Sequence, residues 1–451
     1  TLDATLRFED LTGIAADARE AELALRMEDE IAMPFDLARG PLFRACLYRL
    51  GDQEHVMFFM AHHAIWDGWS FDLFYTEMAA LYDDARHGRD PTLALPPVSY
   101  ADFSAWHREW MAGPELTRQL DHWRRKLEGA PEALALPVDK PRPATQSGHG
   151  DTAWLRVPAD TADALREFAQ REGSTLFTVL LSAWALLLHQ LSGQRDLVIG
   201  TPVRGRNLPE LESVMGFFVN ALPLRLQLDP DAGFRSLLQT ARHEMIDAIG
   251  CQDVPFEHLV RVLSSAVEGV RRDTSRFPIY QSFFSYQDAR QRPCRWGDLA
   301  HANVPVFQPA AAQDVALWFL DGADGLVGGL NYNTDILIAD TATLLVERYL
   351  AMLDGLVDAL AQQSHDVPLR ALLSMTAAET ARLASWNGTA AAMPADHDLS
   401  HYLDDAIARY GDRAQVSFAD AATSHVALSA QADMIITALR MRGIGPGAVV
   451  G

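Results

Sequence analysis

The sequence predicts a two-lobed α/β protein, and three observations lead to this fold class. Short apolar runs typical of strands alternate with segments whose apolar residues recur at helical spacing. A proline-rich stretch at 136–143 separates two such segments, because proline has a fixed φ and no amide donor. The length of 451 residues suggests three domains or lobes at roughly 150 residues each. The predicted segments are a first lobe at 1–137, a linker at 138–150, a second lobe at 151–375, a second linker at 376–398 and a C-terminal segment at 399–451.

The first lobe contains one strand and one helix that the pattern indicates clearly. Residues His55 to Met60 form a short, continuous apolar run, which is typical of a strand buried on both faces. Asp67 to Ser70 are predicted to form a turn. Apolar residues at helical spacing then indicate a helix that contains Phe74, Met78 and Leu81. A turn is therefore expected between a buried strand and a helix.

The second lobe is predicted to alternate strands with capped helices. Asp160 or Thr161 can cap a helix that ends at Gly173, and Ser174 or Thr175 can cap the helix that follows. This following helix is apolar over most of its length, so we expect it to be buried. The predicted elements are a strand at Thr152–Val157, a helix with Leu165 and Phe168, a buried helix at Leu176–Leu191, strands at Asp196–Val203 and Phe217–Leu228, and a helix from Phe234 to Ile249 that ends at Gly250.

The charge balance and the cysteine count limit the class of protein. The chain has 38 Lys and Arg against 60 Asp and Glu, a formal net charge of −22. This balance argues against a nucleic-acid binder and against a polybasic membrane-surface protein. Cys46, Cys251 and Cys294 are too scattered for a disulfide framework or a zinc site and fit a reducing compartment. Thr1–Ala4 has no signal-sequence character, and the longest apolar run is shorter than the ~20 residues of a membrane span. The sequence thus predicts a cytoplasmic protein without nucleic-acid or membrane partners.

The stretch from Met60 to Ser70 holds the residues best suited to chemistry. His62 and His63 follow the apolar strand, and the unperturbed pKa of histidine, about 6.5, suits proton transfer near neutral pH. Asp67 could hold the local geometry or pair with an arginine. Gly68 could let backbone or substrate approach closely.

A structural role for the two histidines is the simpler interpretation of the residues alone. A zinc site is disfavoured because adjacent side chains on a strand point to opposite faces, and because the sequence has no HExxH or CxxC motif. The sequence also lacks a GxSxG nucleophile elbow and a GxxxxGKS/T phosphate loop. What the residues predict by themselves is a histidine-centred acid–base site between two lobes.

The histidine stretch resembles the HHxxxDG motif of condensation domains in nonribosomal peptide synthetases. His62, His63, Asp67 and Gly68 stand at the motif positions. Other stretches resemble further motifs of this family in their order and spacing, and the resemblance covers roughly residues 1–375. These stretches are Pro34–Leu37 and Gly40–Arg44, which precede the histidines, Tyr100–Trp106 (YxDFAxW), Met215–Asn220 (GxFVN), Gln252–Glu257 (QDxPFE) and Arg272–Pro278 (RDxSRxP).

The resemblance implies two chloramphenicol-acetyltransferase-like lobes in a V shape with a tunnel between them. The N-terminal lobe is expected to be incomplete, because the LxxxQ-like and RHxxLR-like stretches that precede the histidines in this family are absent. The C-terminal segment is expected to be the start of an adenylation domain. Ala377–Thr389, Leu428–Ala432 and Leu439–Gly447 resemble the junction to that domain and its beginning.

The resemblance also implies peptide-bond formation between an upstream acyl or peptidyl thioester and a downstream aminoacyl thioester. Donor and acceptor carrier domains would deliver both on phosphopantetheine arms, so the chain itself would bind no covalent cofactor and no metal. An adenylation domain would follow in the same polypeptide. His63 matches the catalytic histidine of the family, and Asp67 matches an aspartate that is chiefly structural and pairs with an arginine, for which Arg206 is the candidate.

Several motif residues have structural alternatives. Asn220 could satisfy a backbone group or line the tunnel. The other structural predictions are a core role for Tyr100, Phe103 and Trp106 on one helix, a loop-to-helix entry at Gln252–Glu257, and an ion-pair set of Arg272, Asp273 and Arg276.

Three other functions stay open. An epimerization-type domain keeps the HHxxxDG motif, a noncatalytic recruitment module keeps the fold, and a stand-alone HxxxD acyltransferase shares the shorter motif. Cyclization domains are disfavoured because they replace the two histidines with aspartates. The intact His62 and His63 favour catalysis, and the adjoining adenylation-like segment favours condensation.

Overall fold

The computed structural model of this chain divides into two compact units, residues 1–376 and residues 377–451. Residues 1–4, Arg272 and part of the predicted second linker, 392–398, lie outside the described residues. The structure describes residues 5–266, 273–304, 309–322, 325–362, 366–373, 375–391, 399–413, 415–418 and 421–451.

A three-stranded sheet forms the N-terminal part of the larger unit. Its strands are β1 (Arg7–Asp10), β2 (Phe43–Arg49) and β3 (His55–Ala61), and helix α1 (Ala16–Ala32) connects β1 to β2. β1 pairs with β2 in parallel, and β2 pairs with β3 antiparallel. The predicted strand is confirmed, but the expected burial on both faces is wrong, because Phe58 is buried while the other residues of β3 are half-buried or exposed. The small core between sheet and helix consists of Leu11, Leu23, Met27, Cys46, Tyr48, Leu50 and Phe58.

Helix α2 (Gly68–Arg86) follows β3 after one 3-10 turn at His63–Ile65. The turn predicted at 67–70 is wrong, because Asp67 is the N-cap of α2 and accepts a hydrogen bond from the Ser70 amide at 2.9 Å. The start of a helix and a turn look alike in sequence, since both favour Asp, Gly and Ser. The helix predicted to contain Phe74, Met78 and Leu81 is confirmed as α2.

Helices α3 (Tyr100–Trp110) and α4 (Pro114–Leu127) lead to the proline-rich linker. A capping box of Ser99 and Asp102 begins α3. The apolar side chains of α4, among them Trp123, are buried in the large core of the C-terminal part. The lobe boundary at 137 stays a prediction, and this packing groups α4 with the C-terminal part.

A six-stranded mixed sheet and its helices form the C-terminal part of the larger unit. The elements are β4 (Gly150–Val157), α5 (Ala159–Arg171), α6 (Leu176–Ser192), β5 (Asp196–Val203), β6 (Asn220–Gln227), α7 (Phe234–Ile249), α8 (Phe256–Ala266), β7 (Ser282–Asp288), β8 (Arg295–Trp296), β9 (Leu299–Ala300), β10 (Val315–Gly322), β11 (Gly325–Asn333), α9 (Ala339–Ala361) and α10 (Leu369–Leu372). The strand order in the sheet is β4-β11-β10-β7-β5-β6. The β5–β7 and β7–β10 pairs are parallel, and the outer pairs are antiparallel. Helix α6 is almost wholly buried and contacts α5, α7, α9 and the sheet.

Most of the elements predicted for this part are confirmed. The strand at 196–203, the buried helix and the helix ending before Gly250 appear as β5, α6 and α7, and Thr175 caps α6 through its hydroxyl. The cap predicted for α5 is wrong: Pro158 stands at the N-cap, and the Asp160 carboxylate accepts from its neighbour Thr161 inside the first turn. The strand predicted from Phe217 begins later than expected, at Asn220 in β6. The backbone of Phe217 and Phe218 forms hydrogen bonds with the side chains of Tyr100 and Asp67 instead of joining the strand.

The smaller unit consists of short elements. Its first helix, α11 (Ala377–Trp386), lies within the predicted second linker. It is followed by α12 (Leu399–Tyr410), a hairpin of β12 (Gln415–Phe418) and β13 (Ala421–Ser424), and α13 (His425–Met441).

Among the described residues, no single helix is both long and apolar enough to cross a membrane. The consecutive helices α5 and α6 meet the length and composition criteria only as a pair, and they are bent by 105° relative to each other.

Candidate active site

His62 and His63 lie in the short connection between β3 and α2. The Nδ1 atom of His62 accepts a hydrogen bond from the Ala64 amide at 3.0 Å, and its ring meets Phe35 edge-on with centroids 5.9 Å apart. His63 is exposed, and its Nδ1 atom lies 2.7 Å from the carbonyl oxygen of Trp66. The turn therefore uses His62 as a cap and leaves His63 accessible.

The Trp66 carbonyl fixes the tautomer of the His63 ring. A carbonyl oxygen only accepts hydrogen bonds, so Nδ1 must carry the proton at this distance. In the neutral ring, the lone pair then belongs to Nε2. Within the described part of the chain, the Nδ1 contact is the only hydrogen bond of the His63 side chain. The ring thus presents Nε2 as a proton acceptor.

The carboxylate of Asp67 joins the N-terminal and C-terminal parts of the larger unit. One oxygen accepts from the amide and the hydroxyl of Ser70, at 2.9 and 2.8 Å. The other oxygen accepts from the Phe218 amide at 3.0 Å. Asp67 is buried, so these bonds satisfy a charge that water cannot reach.

Arg206 forms the ion pair with Asp67 that the resemblance implies. Its Nη1 and Nη2 atoms donate to the two carboxylate oxygens at 2.7 and 3.2 Å, and its side chain is fully buried. Nη2 also donates to the carbonyl oxygen of Val214 at 3.0 Å, and the guanidinium lies 4.2 Å above the centroid of the Phe218 ring. A bidentate pair with these further contacts fixes the loop after β5 against the start of α2.

The electrostatics of the pair keep Asp67 ionised. Burial by itself would raise the pKa of this carboxyl, but hydrogen bonds from Arg206 and from the Phe218 amide outweigh it and hold the pKa below its usual value. A carboxylate that is ionised at neutral pH and has hydrogen bonds to both of its oxygens is a poor proton shuttle. The arrangement therefore gives Asp67 a structural role.

Gly68 and Asn220 occupy structural positions. The carbonyl oxygen of Gly68 accepts from Gln287 Nε2 at 3.0 Å, and a Cβ on Gly68 would approach that nitrogen to 3.3 Å. The Asn220 amide donates to the carbonyls of Gln252 and Val254, at 2.8 and 2.7 Å, while its oxygen accepts from backbone amides. Of its two alternatives, this geometry supports the satisfaction of backbone groups.

Comparison with known proteins decides the family. The family model described as "Condensation domain" matches residues 1–380, which is most of the chain. The chain belongs to the condensation-domain family. A linear gramicidin synthase protein of Brevibacillus parabrevis is 35% identical over 453 aligned residues, which cover 100% of this chain. The chain spans only 9% of the length of that relative.

Solved structures show the same α/β fold. A holo four-domain nonribosomal peptide synthetase bound to AMP and glycine has a TM-score of 0.74 and 25% identity, covering 99% of this chain and 34% of that one. A complex of the X-domain and OxyB from teicoplanin biosynthesis has a TM-score of 0.68 and 26% identity, covering 83% and 80%.

Three residues at the site of this condensation domain were not predicted individually from the sequence. Ser70 bonds both to Asp67 and to the carbonyl of Gly216, Phe217 meets the His63 ring edge-on, and Phe218 donates to Asp67. The one available signal was the GxFVN-like stretch, which marks the region but does not show what it touches.

The core role predicted for Tyr100 and Trp106 of the condensation domain is wrong. Their exposed fractions are 37% and 43%, because α3 lies on the surface and turns Phe103 towards Phe218 instead. The Tyr100 hydroxyl donates to the carbonyl of Phe217 at 2.7 Å.

Two further predictions for motif stretches of the condensation domain are confirmed within the described residues. Residues 252–257 lead from a loop into α8. Asp273 and Arg276 form an ion pair of 3.6 Å, and Arg272, the third member of the predicted set, lies outside the described residues.

Proposed function

We propose that this condensation domain forms an amide bond between an upstream acyl or peptidyl thioester and a downstream aminoacyl thioester. The observation that carries the proposal is the exposed His63 ring, whose Nδ1 is bound to the Trp66 carbonyl and whose Nε2 is free to accept a proton. Membership in the family and the similarity to a gramicidin synthase support the reaction class.

Amide formation requires a group that accepts a proton from the attacking amine. The amine nitrogen attacks the thioester carbonyl carbon, and the nitrogen then gives up a proton, for which His63 Nε2 is the candidate acceptor. Collapse of the tetrahedral intermediate breaks the C–S bond, and the departing thiolate takes up the proton that His63 accepted, which returns the ring to its neutral form. A thioester is already activated, so the protein's main contribution is to align the two reactants, which can lower the barrier by up to ~7–11 kcal/mol.

The substrates would arrive on phosphopantetheine arms of donor and acceptor carrier domains, through a tunnel between two lobes in a V shape. His63 lies on the N-terminal part, and Phe217 of the C-terminal part touches its ring. A site at this contact could be reached by two arms from opposite sides. An adenylation domain in the same polypeptide would load the acceptor carrier, and a cytoplasmic location stays a prediction.

A recruitment module is the second candidate. The X-domain that resembles this chain was solved in complex with another protein, OxyB. Under this alternative, the chain would bind a partner and the His63 ring would have no chemical role.

The experiment is a reconstitution of the complete module with both carriers preloaded, followed by mass spectrometry of the dipeptidyl product. We expect His63→Ala to slow amide formation by about 10²–10⁴-fold if the ring is a general base. His87→Ala is the matched control, because His87 is also exposed and its Nδ1 also lies 2.8 Å from a backbone carbonyl, that of Asp83, at the far end of α2. A wild-type rate for folded His63→Ala would reject the catalytic assignment and favour recruitment.

A further inference from the structure

The peptide group between Phe217 and Phe218 forms hydrogen bonds at both of its polar atoms with side chains from the N-terminal portion of the chain, Tyr100 and Asp67. Its carbonyl oxygen accepts from the Tyr100 hydroxyl at 2.7 Å. Its N–H donates to the Asp67 carboxylate at 3.0 Å. Hydrogen bonds at the two ends of one peptide group polarise each other, so each strengthens the other. The plane of this peptide is thereby fixed.

The side chains on either side of this peptide contact the two functional groups of the site. The Phe217 ring meets the His63 ring at an interplanar angle of 86°, with centroids 5.2 Å apart. The Phe218 ring lies under the Arg206 guanidinium. The orientation of one peptide therefore sets the contact made with His63.

Tyr100 is well placed to hold this peptide. It is the first residue of α3, where the Ser99–Asp102 capping box fixes the backbone. Its ring lies so close to Gly216 that a Cβ there would come within 2.4 Å of Tyr100 Cδ2. Burial raises the pKa of Tyr100, and the negative charge of Asp67 raises it further, so the hydroxyl remains a donor at neutral pH.

We propose that Tyr100 is a positioning residue for His63 and acts through Phe217. The proposal rests on the proposed function for the chemical role of His63, but not for the contacts themselves. Tyr100 touches neither the His63 ring nor a reacting atom; it holds the peptide that carries Phe217.

A second contact is needed because one hydrogen bond leaves the ring mobile. The χ2 torsion of histidine is broad, so a ring bound only through Nδ1 to Trp66 can still rock about that bond. The Phe217 edge restricts this motion on one side. Without the Tyr100 hydroxyl, the peptide group loses one of its two hydrogen bonds, and the Phe217 ring can move away from the His63 ring.

The first test compares two Tyr→Phe variants of the complete module under single turnover with preloaded carriers. Tyr100→Phe is expected to slow amide formation by about threefold to tenfold, the effect of losing one neutral hydrogen bond. Tyr349→Phe is the matched control, because its hydroxyl also donates to a backbone carbonyl, that of Leu180 at 2.9 Å, inside the C-terminal core. This control should lose stability and keep the rate of the folded protein.

A double-variant cycle separates positioning from a general structural effect. If Tyr100 acts through His63, then Tyr100→Phe should have no further effect in a His63→Ala background. Phe217→Leu should slow the reaction as well and should not add to Tyr100→Phe. An undiminished effect of Tyr100→Phe in the His63→Ala background would overturn the proposal.

A spectroscopic measurement decides the proposal even if no amide is formed. In the full chain with labelled histidine, the His63 ring signal is identified among the 15 histidines by its loss in His63→Ala. We expect Tyr100→Phe and Phe217→Leu to shift this signal, while Tyr349→Phe leaves it unchanged. An unmoved His63 signal in both site variants would refute the proposal, whereas failure of wild-type amide formation would refute only the proposed function.

Discussion

Asp67 is the residue on which the site depends most, because its carboxylate accepts hydrogen bonds from both parts of the larger unit. Ser70 lies three residues away, whereas Arg206 and Phe218 lie 139 and 151 residues away in sequence. The same carboxylate caps α2, which begins directly after the histidine turn. A change at Asp67 should therefore affect folding before it affects chemistry.

We expect Asp67→Asn to lower the free energy of unfolding by about 3–5 kcal/mol, because it leaves the Arg206 charge buried without a counter-charge. Urea denaturation followed by circular dichroism measures this loss. Asp102→Asn is the control, since Asp102 also caps a helix but lies in an exposed position, where the loss should be about 1 kcal/mol or less. Adding Arg206→Met to Asp67→Asn should restore part of the stability, and no recovery would argue against an unpaired charge as the cause.

The stabilisation by Asp67 should depend on pH in a defined window. Its folded-state pKa lies below the unfolded value, which is about 3.9. The contribution is therefore present above about pH 4 and is lost as the pH falls through the folded-state pKa. Urea midpoints of wild type and Asp67→Asn should differ by a constant amount from pH 8 to 5 and should converge in stronger acid. A difference that already shrinks between pH 7 and 6 would point to a different group.

At the scale of elements, the loop after β5 decides whether the site can assemble. Gly205 has φ +64°, and a Cβ on it would lie 1.9 Å from the carbonyl oxygen of Phe218. This close approach brings the stretch with Arg206 against the stretch that begins β6. The loop thus places two separate chain segments beside Asp67.

Gly205→Ala is expected to destabilise the larger unit strongly, by more than about 3 kcal/mol, because it combines a disfavoured φ with a backbone collision. Gly193→Ala is the matched control: φ is +71° there, and a Cβ would meet no described atom within 4 Å. The control should cost only about 1–2 kcal/mol. Thermal melting compares the two, and equal losses would show that the collision at Gly205 is relieved without cost.

At the scale of the whole molecule, the stability of the larger unit should reside in its own cores. The large core extends from Leu120 to Leu372, and its residues come from α4 to α10. Helix α9 contributes several of them, including the fully buried Tyr349 and Leu353. The chain divides after Thr376, beyond the last of these core residues.

We expect a chain that ends at Thr376 to keep the melting temperature of the larger unit within about 2 °C, since no core residue is removed. A chain that ends at Ile338 is the control. It lacks α9 and should fail to fold cooperatively, because a large part of the apolar core is lost. Calorimetry of the full chain and the two shortened chains tests this. A large fall in melting temperature for the chain that ends at Thr376 would contradict the prediction.

Local patterns in the sequence determined most of the elements and the family. The apolar run of α6, the strand β5 and the Thr175 cap are encoded within a few neighbouring residues, so periodicity and capping predict them. Two of the errors arose at Asp67 and at Asp160, where a cap, a turn and a first helical turn share the same residue types. The motif resemblance predicted His63 as the match to the catalytic histidine of the family and Arg206 as the candidate partner of Asp67.

Only the tertiary structure decided what these residues touch. Periodicity could not show that His62 caps a turn while His63 is exposed, or that Asn220 binds the carbonyls of residues 252 and 254. It also could not show that the Tyr100 hydroxyl meets a carbonyl 117 residues away. The physical reason is range: helix and strand patterns depend on neighbours a few positions apart, whereas the site is assembled from segments that meet only when the whole unit has folded.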